Sequence, residues 1–368
     1  MTSVVATVLI LCCAMRVPAA AAAAAAAGCA WRKTTSPPAF IGQWASAAAA
    51  AVGDGAVAFA GGTFIDPRTG HFSGARNQVA LVRPAAGTWD LLPNMTAREA
   101  PAAAAHGGRL YVFGGVQQKP NASPSDPDPT IKLALVESIA VAESAGGGGA
   151  GAGAAWQREK DMPYGPREGQ SAVTLPSGKG IVLAGGFDSH TDAKGVFHFG
   201  YFNTSYHFDG VAYTRLPDMP FQRSNMALVA QLDGEDDWVY AIGGGEDAPS
   251  YATCARLRVP SAEPERATAW VSCGPMVNPR SWMAAAVVNN RIIIAGGMGG
   301  TFSPTNEVDS LDIGGGGSVV AANWTYAGCD LPVSVGFLAG AVASTGEFVV
   351  VAGDTRGNGV YIYEPSSL

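Results

Sequence analysis

The apolar positions of the chain fall in short runs that close on glycine pairs. Residues 57–60 end at Gly61-Gly62, 111–113 at Gly114-Gly115, 181–184 at Gly185-Gly186, 240–242 at Gly243-Gly244 and 292–295 at Gly296-Gly297. A sixth run, 348–352, ends at Gly353 followed by Asp354. The first glycines lie 53, 71, 58, 53 and 57 residues apart. Short runs that are apolar on both faces and bounded by glycine predict buried β-strands. Their return at a near-constant spacing predicts a repeat architecture. Another apolar stretch precedes most pairs, as at 102–105, 171–175, 226–229 and 283–288.

Each unit carries a second landmark downstream, a large aromatic followed by a proline and usually a methionine. Trp89 precedes Leu92-Pro93-Asn94-Met95, Tyr213 precedes Leu216-Pro217-Asp218-Met219, and Trp270 precedes Gly274-Pro275-Met276. Trp156 with Met162-Pro163 and Trp324 with Leu331-Pro332 are looser versions. A unit therefore reads strand, turn, strand, glycine pair, loop and two further strands. These landmarks resemble the kelch repeat, and the resemblance covers nearly all of residues 28–368. It implies an all-β fold, a six-bladed kelch-type β-propeller with four antiparallel strands per blade around a central channel. The sixth unit stops at Tyr361-Ile362-Tyr363-Glu364-Pro365 without its aromatic strand, and Trp31 with Pro37-Pro38 has the missing pattern. The N-terminal strand is therefore expected to close the last blade, which removes an exposed sheet edge.

Composition adds the compartment. Residues 4–15 are apolar and uncharged, and an alanine run, 19–27, ends at Gly28. That pattern predicts a signal peptide over 1–27, because about a dozen apolar residues are too few for a span of ~20. No later segment predicts a membrane span, and the mature chain, 28–368, is expected to be secreted or to reside in the secretory-pathway lumen. It keeps Cys29, Cys254, Cys273 and Cys329, an even number that suggests bridges in an exported chain. Cys254 and Cys273 lie in one predicted antiparallel strand pair, which leaves Cys29 for Cys329. Asn94, Asn121, Asn203 and Asn323 open N-glycosylation sequons. Charged residues are 14% of the chain and the net charge is −7, so no broad basic field points to nucleic acid. Two insertions, 119–129 and the glycine tract 146–153, account for the long second interval and predict surface loops.

In kelch propellers the loop after the glycine pair and the crossing into the next blade open on one face, the face such proteins commonly use for ligands. Here the crossings carry Arg98, Arg167, Arg223 and Arg280, and the post-doublet loops add Asp66, Arg68, Asp188, His190, Glu246, Asp247 and Arg356. A ring of guanidinium forks suits a carboxylate or sulfate, although arginine here also belongs to the common kelch pattern and can tie loops together. Trp282, two residues after Arg280, offers a stacking face or an inter-blade packing residue.

Asp188, His190, Asp192 and His198 alternate oxygen and imidazole donors, but the spacing matches the iron site of nitrile-specifier kelch proteins only in part, and a solvated loop is expected. No nucleophile elbow, Walker loop or CxxC is present. No catalytic residue, metal or cofactor is assigned. The expectation is a monomeric exported binding module for an acidic peptide or glycan. An epimerase-like enzyme on an acidic sugar and a structural extracellular protein are the alternatives.

Overall fold

The computed structural model describes residues 29–34, 38, 44–65, 72–120, 129–141, 154–192, 194–246, 250–314, 323–352 and 359–365. The fold is all-β and antiparallel, with one short 3-10 turn, Pro264–Arg266, among the described residues. The signal-peptide segment 1–27, Asn121, Asp66, Arg68, Asp247 and Arg356 lie outside them.

Six sheets repeat one meander. The first joins Ala48–Val52, Ala56–Ala60, Val79–Arg83 and Thr88–Leu92. The second joins Ala102–His106, Arg109–Phe113, Val136–Ala140 and Gln157–Arg158. The third joins Glu168–Thr174, Ile181–Thr191, Ser205–Phe208 and Tyr213–Leu216, with Phe197–Tyr201 paired to the long second strand. The fourth joins Ala227–Asp233, Asp236–Ile242, Cys254–Val259 and Val271–Ser272. The fifth joins Ala284–Val288, Arg291–Ala295, Val308–Asp312 and Thr325–Tyr326. The sixth joins Ala339–Val342, Phe348–Ala352, Gly359–Pro365 and, from the other end of the chain, Cys29–Lys33.

The expected pairing at the chain ends is present: Trp31 opposes Tyr363 and Lys33 opposes Tyr361 in antiparallel register. Trp31 packs against Tyr363 and Phe348, with ring centroids 5.2 and 6.0 Å away. Its indole N–H donates to the Cys329 carbonyl at 3.0 Å. Trp156 and Trp270 make the same bond to Pro93 and Pro217, at 2.7 and 2.9 Å. At Trp156 and Trp270 the aromatic and proline landmarks are thus two halves of one contact, in which the tryptophan reaches the exit of the preceding sheet. Both expected disulfides are also present, Cys29 with Cys329 and Cys254 with Cys273.

The first strand of each sheet touches the first strands of the sheets before and after it, and Ala339–Val342 touches Ala48–Val52, so the sequence of contacts returns to its start. Alanine is the commonest residue of these strands, above all in Ala48–Val52, Ala102–His106 and Ala284–Val288, where neighbouring backbones converge. The second strands are buried along most of their length, and Ala56–Ala60 throughout, because they are covered on both faces.

Two residues before the first strand of five sheets, and at the second residue of that strand in the third, stands a residue with positive φ: Ser46 (51°), Ala100 (46°), Gly169 (60°), Asn225 (52°), Trp282 (47°) and Phe337 (55°). Backbone hydrogen bonds link these positions in a cycle. The N–H of Ala100 donates to Ser46, Gly169 to Ala100, Asn225 to Gly169 and Trp282 to Asn225, at 2.8 to 3.1 Å. Leu338 donates to Trp282 at 3.1 Å, and Ser46 donates to Phe337 at 3.2 Å.

The glycine pairs form the next layer of the same junction. The second glycine donates its N–H to the crossing that follows, as Gly186 does to the Arg223 carbonyl at 2.9 Å and Gly115 to Arg167 at 2.8 Å. At the first glycine a Cβ would be crowded by that crossing: on Gly185 it would stand 2.5 Å from the Arg223 carbonyl oxygen.

Gly185 (φ +68°) and Gly178 (φ +74°) both adopt a left-handed conformation in the third sheet, but a Cβ on Gly178 would meet nothing within 4 Å. Gly178→Ala is expected to cost about 1–2 kcal/mol from conformation alone, and Gly185→Ala about 3 kcal/mol or more because a backbone carbonyl must also move. Urea unfolding of the two variants checks the difference. Replacing Cys29 and Cys329 together by serine is expected to lower stability by roughly 4–5 kcal/mol, since the bridge closes a loop much longer than 100 residues. The same change at Cys254 and Cys273 should cost about 3 kcal/mol.

Candidate functional site

The four arginines do not form an open rim. Arg98, Arg223 and Arg280 are fully buried and Arg167 is 3% exposed. Arg98 donates to the carbonyls of Gly114 and Leu135, both at 3.2 Å, and forms an ion pair with Glu137. Arg167 donates to the Gly185 carbonyl at 3.0 Å and Thr204 Oγ1 at 2.6 Å, between the rings of Phe202 and Tyr164. Arg223 donates to the Gly243 carbonyl at 3.1 Å and lies near the rings of Phe221 and Tyr251. Arg280 meets Asp309 at 2.8 Å, Glu307 Oε2 at 3.1 Å and the Glu307 carbonyl at 2.8 Å. Burial lowers Arg223 to about 10 and raises Asp309 to about 6 despite Arg280. The guanidinium ring expected to hold an acidic ligand is therefore spent on the glycine-pair carbonyls and on internal carboxylates. Of the two roles open to arginine at this position, the buried geometry is that of tying loops together.

Successive residues of an extended segment point to opposite sides, and this alternation builds the cavity. Each arginine turns inward and the residue after it faces a cavity of about 280 Å³; the next residue holds positive φ, which breaks the alternation and lets Ala100, Asn225 and Trp282 line the same cavity. Glu99, Glu168, Ser224 and Ser281 follow the arginines directly. Ala100, Asn225 and Trp282 come next, joined by Ser46 and Phe337 from the two units without an arginine. Phe187, Tyr201, Gly245 and Phe302 complete the wall from segments after the glycine pairs. The cavity opens over the channel between the first strands, whose lining is mainly alanine.

One side of this mouth is aromatic. Trp282 lies 5.3 Å from Phe302 and 5.2 Å from Phe337, with Phe302 and Phe337 6.4 Å apart between ring centroids. Phe302 is 45% exposed. Trp282, Phe302 and Phe337 all hold positive φ, a strained state for bulky side chains that costs roughly 1–3 kcal/mol each and concentrates at functional sites. The opposite side carries the two carboxylates. Burial, reinforced by Glu168, raises Glu99 to about 7, and burial raises Glu168 as well. Lys132 opposes both shifts and pairs with Glu168 at 3.2 Å.

The remaining sequence candidates scatter. Asp188 accepts from His190 Nδ1 at 2.9 Å, and Asp192 pairs with His198 Nε2 at 3.0 Å. The two imidazoles face each other across the hairpin, 5.1 Å between centroids. No group of three or more metal-ligating side chains is present among the described residues. Glu246 is half-buried beside Tyr251, which burial and the Glu246 carboxylate push up. His207 is buried in the third sheet, its Nε2 2.9 Å from the Lys179 carbonyl. Asn94 and Asn323 are exposed, while Asn203 donates its amide to the Met219 carbonyl at 3.2 Å. Of the described residues singled out from sequence, only Trp282 lines the mouth cavity. Glu99 and Glu168 were legible in the Arg-Glu pairs at 98–99 and 167–168, through the alternation just described.

No protein-family model matches the chain, and no curated protein matches it. No helix among the described residues is long and apolar enough to cross a membrane. The two disulfides fit an extracellular protein.

Arg280→Ala strands a buried Asp309 carboxylate, so it is expected to destabilise the fold by about 3–5 kcal/mol; denaturant unfolding measures this. Glu99 binds its proton more tightly in the folded chain than at its ordinary value of 4.5. The stability this provides is full below pH 4.5 and is lost as pH rises to about 7. Glu99→Gln removes that loss, so its melting temperature relative to the parent should climb across this window and then level off.

Proposed function

We propose that the chain is an exported six-bladed kelch-type propeller that works as a binding module, holding a glycan at the mouth of its central channel. The six meandering sheets, the return of first-strand contacts to their start and the cycle of backbone bonds support the propeller reading. The cysteine pairs and the predicted signal peptide support export. The observation that carries the ligand reading is the mouth itself. Strained aromatics border a cavity of about 280 Å³ that also carries serine, asparagine and carboxylate groups. Aromatic faces take the C–H face of a sugar, and the polar groups accept and donate to its hydroxyls. The guanidinium argument for an acidic ligand is dropped, because those groups are buried away from the cavity and the acidic groups that line it are carboxylates.

Enzymatic action on a sugar is a second reading, favoured by one observation. Glu99, raised to about 7, is poised to give or take a proton at neutral pH. An acidic sugar fits poorly beside Glu168.

The test is a glycan array on the full chain and on Trp282→Asn. Asparagine already stands at the equivalent position as Asn225, with the same left-handed backbone, so the variant should fold. Binding of at least one glycan by the parent, weakened about tenfold or more in the variant, is the expected result. That loss corresponds to removal of one buried aromatic contact. A parent that binds no glycan, or a variant that binds as well, would overturn the reading.

A further inference from the structure

The mouth has an unbalanced charge. Two carboxylates, Glu99 and Glu168, face the cavity. The nearby Lys132 is 3.2 Å from Glu168 and lies over the ring of Phe187, 5.8 Å from its centroid, so it answers one of the two. Arg98 and Arg167 stand next in sequence but turn inward, onto the Gly114 and Gly185 carbonyls. Across the cavity, Trp282, Phe302 and Phe337 present aromatic surface, which attracts a cation through its negative faces as readily as it stacks on a sugar. A net charge of −7 adds a weak long-range pull of the same sign.

We propose that the mouth selects a sugar bearing a free ammonium group, such as a 2-amino-2-deoxyhexose unit, over its N-acetylated, uncharged and carboxylate-bearing counterparts. This rests on the glycan reading above and names the ligand class for that site. The ammonium group takes the place of the proton that Glu99 otherwise holds, so both carboxylates stay ionised in the complex, one paired with Lys132 and one with the ligand. The sugar ring meets the aromatic side, and Ser46 and Asn225 meet its hydroxyls. A cavity of about 280 Å³ is near the low end of ligand pockets, roughly 300–1,000 Å³, and suits one or two sugar units. Neighbouring groups decide the pH dependence. Glu168 raises the proton affinity of Glu99 and Lys132 lowers it, and Tyr201 is the remaining titratable group on the wall.

Isothermal titration of the full chain with three trimers tests this: β-1,4-linked glucosamine, its fully N-acetylated form and the corresponding glucose trimer. The glucosamine trimer is expected to bind about tenfold or more tightly than the other two, the worth of one charge-assisted hydrogen bond. Its affinity should rise from pH 5 toward neutrality as the Glu99 proton becomes easier to displace. Glu99→Gln, with Glu168→Gln as a second variant, should bring the three affinities within about twofold, the glucosamine trimer losing the most. Equal or tighter binding of the N-acetylated or glucose trimer by the parent would overturn the ammonium inference and leave the glycan reading standing. If none of the trimers binds but the array holds other glycans, the ammonium inference again falls alone. If neither trimers nor array glycans bind, both fall.

Discussion

Everything else in the structure depends on how closely the backbone of one unit can approach the crossing of the next. The first glycine of each pair sits where a side chain would collide with a neighbouring backbone, as at Gly185 against the Arg223 carbonyl. The second donates its N–H to that same crossing, and the arginine's guanidinium reaches the first-glycine carbonyl of its own unit at Arg98, Arg167 and Arg223. Glycine pair and arginine are thus one joint. Buried backbone groups must find partners, and here they find them between sheets that share no strand.

The joint also decides what the mouth can offer. With guanidinium groups committed inward, the alternation of the extended crossing sends the next side chain outward, and the positive φ of the residue after it turns that one toward the mouth as well. The unit-to-unit variation of those positions, Glu or Ser and then Ala, Gly, Asn or Trp, supplies the chemistry without disturbing the joint. The scaffold repeats, and the surface it presents does not. That division explains how Trp282 and Phe337 can occupy strained backbone positions: the cycle of backbone bonds fixes the conformation regardless of the side chain carried.

Much of this was legible from residue order alone. The glycine pairs marked the buried strands, the tryptophan and proline landmarks marked the outer contacts, and the partner of Trp31 was readable because the sixth unit lacked its own aromatic strand. The pairing of Cys254 with Cys273 followed from their place in one antiparallel strand pair, and that of Cys29 with Cys329 by elimination and from the meeting of the chain ends. The arginines were located correctly and assigned the wrong direction, since periodicity gives alternation but not which side of a crossing is solvent. The carboxylates Glu99 and Glu168 were passed over for the same reason. Phe302 and Phe337 escaped notice because they sit in irregular segments with no period to flag them; Phe302 reaches Trp282 through the pairing of Arg280–Ser281 with Met298–Gly299, and Phe337 through the backbone bond of Leu338 to Trp282.

The bond between Cys29 and Cys329 gives that closure a mechanical aspect. It crosses from the strand that completes the sixth sheet to the exit of the fifth, so the seam where the two chain ends meet is sewn to its neighbour. Tension applied to the leading segment would be carried by a covalent link to the fifth unit before it could peel the edge strand away. The edge at which Cys29–Lys33 joins the sixth sheet is therefore the one given a permanent stitch.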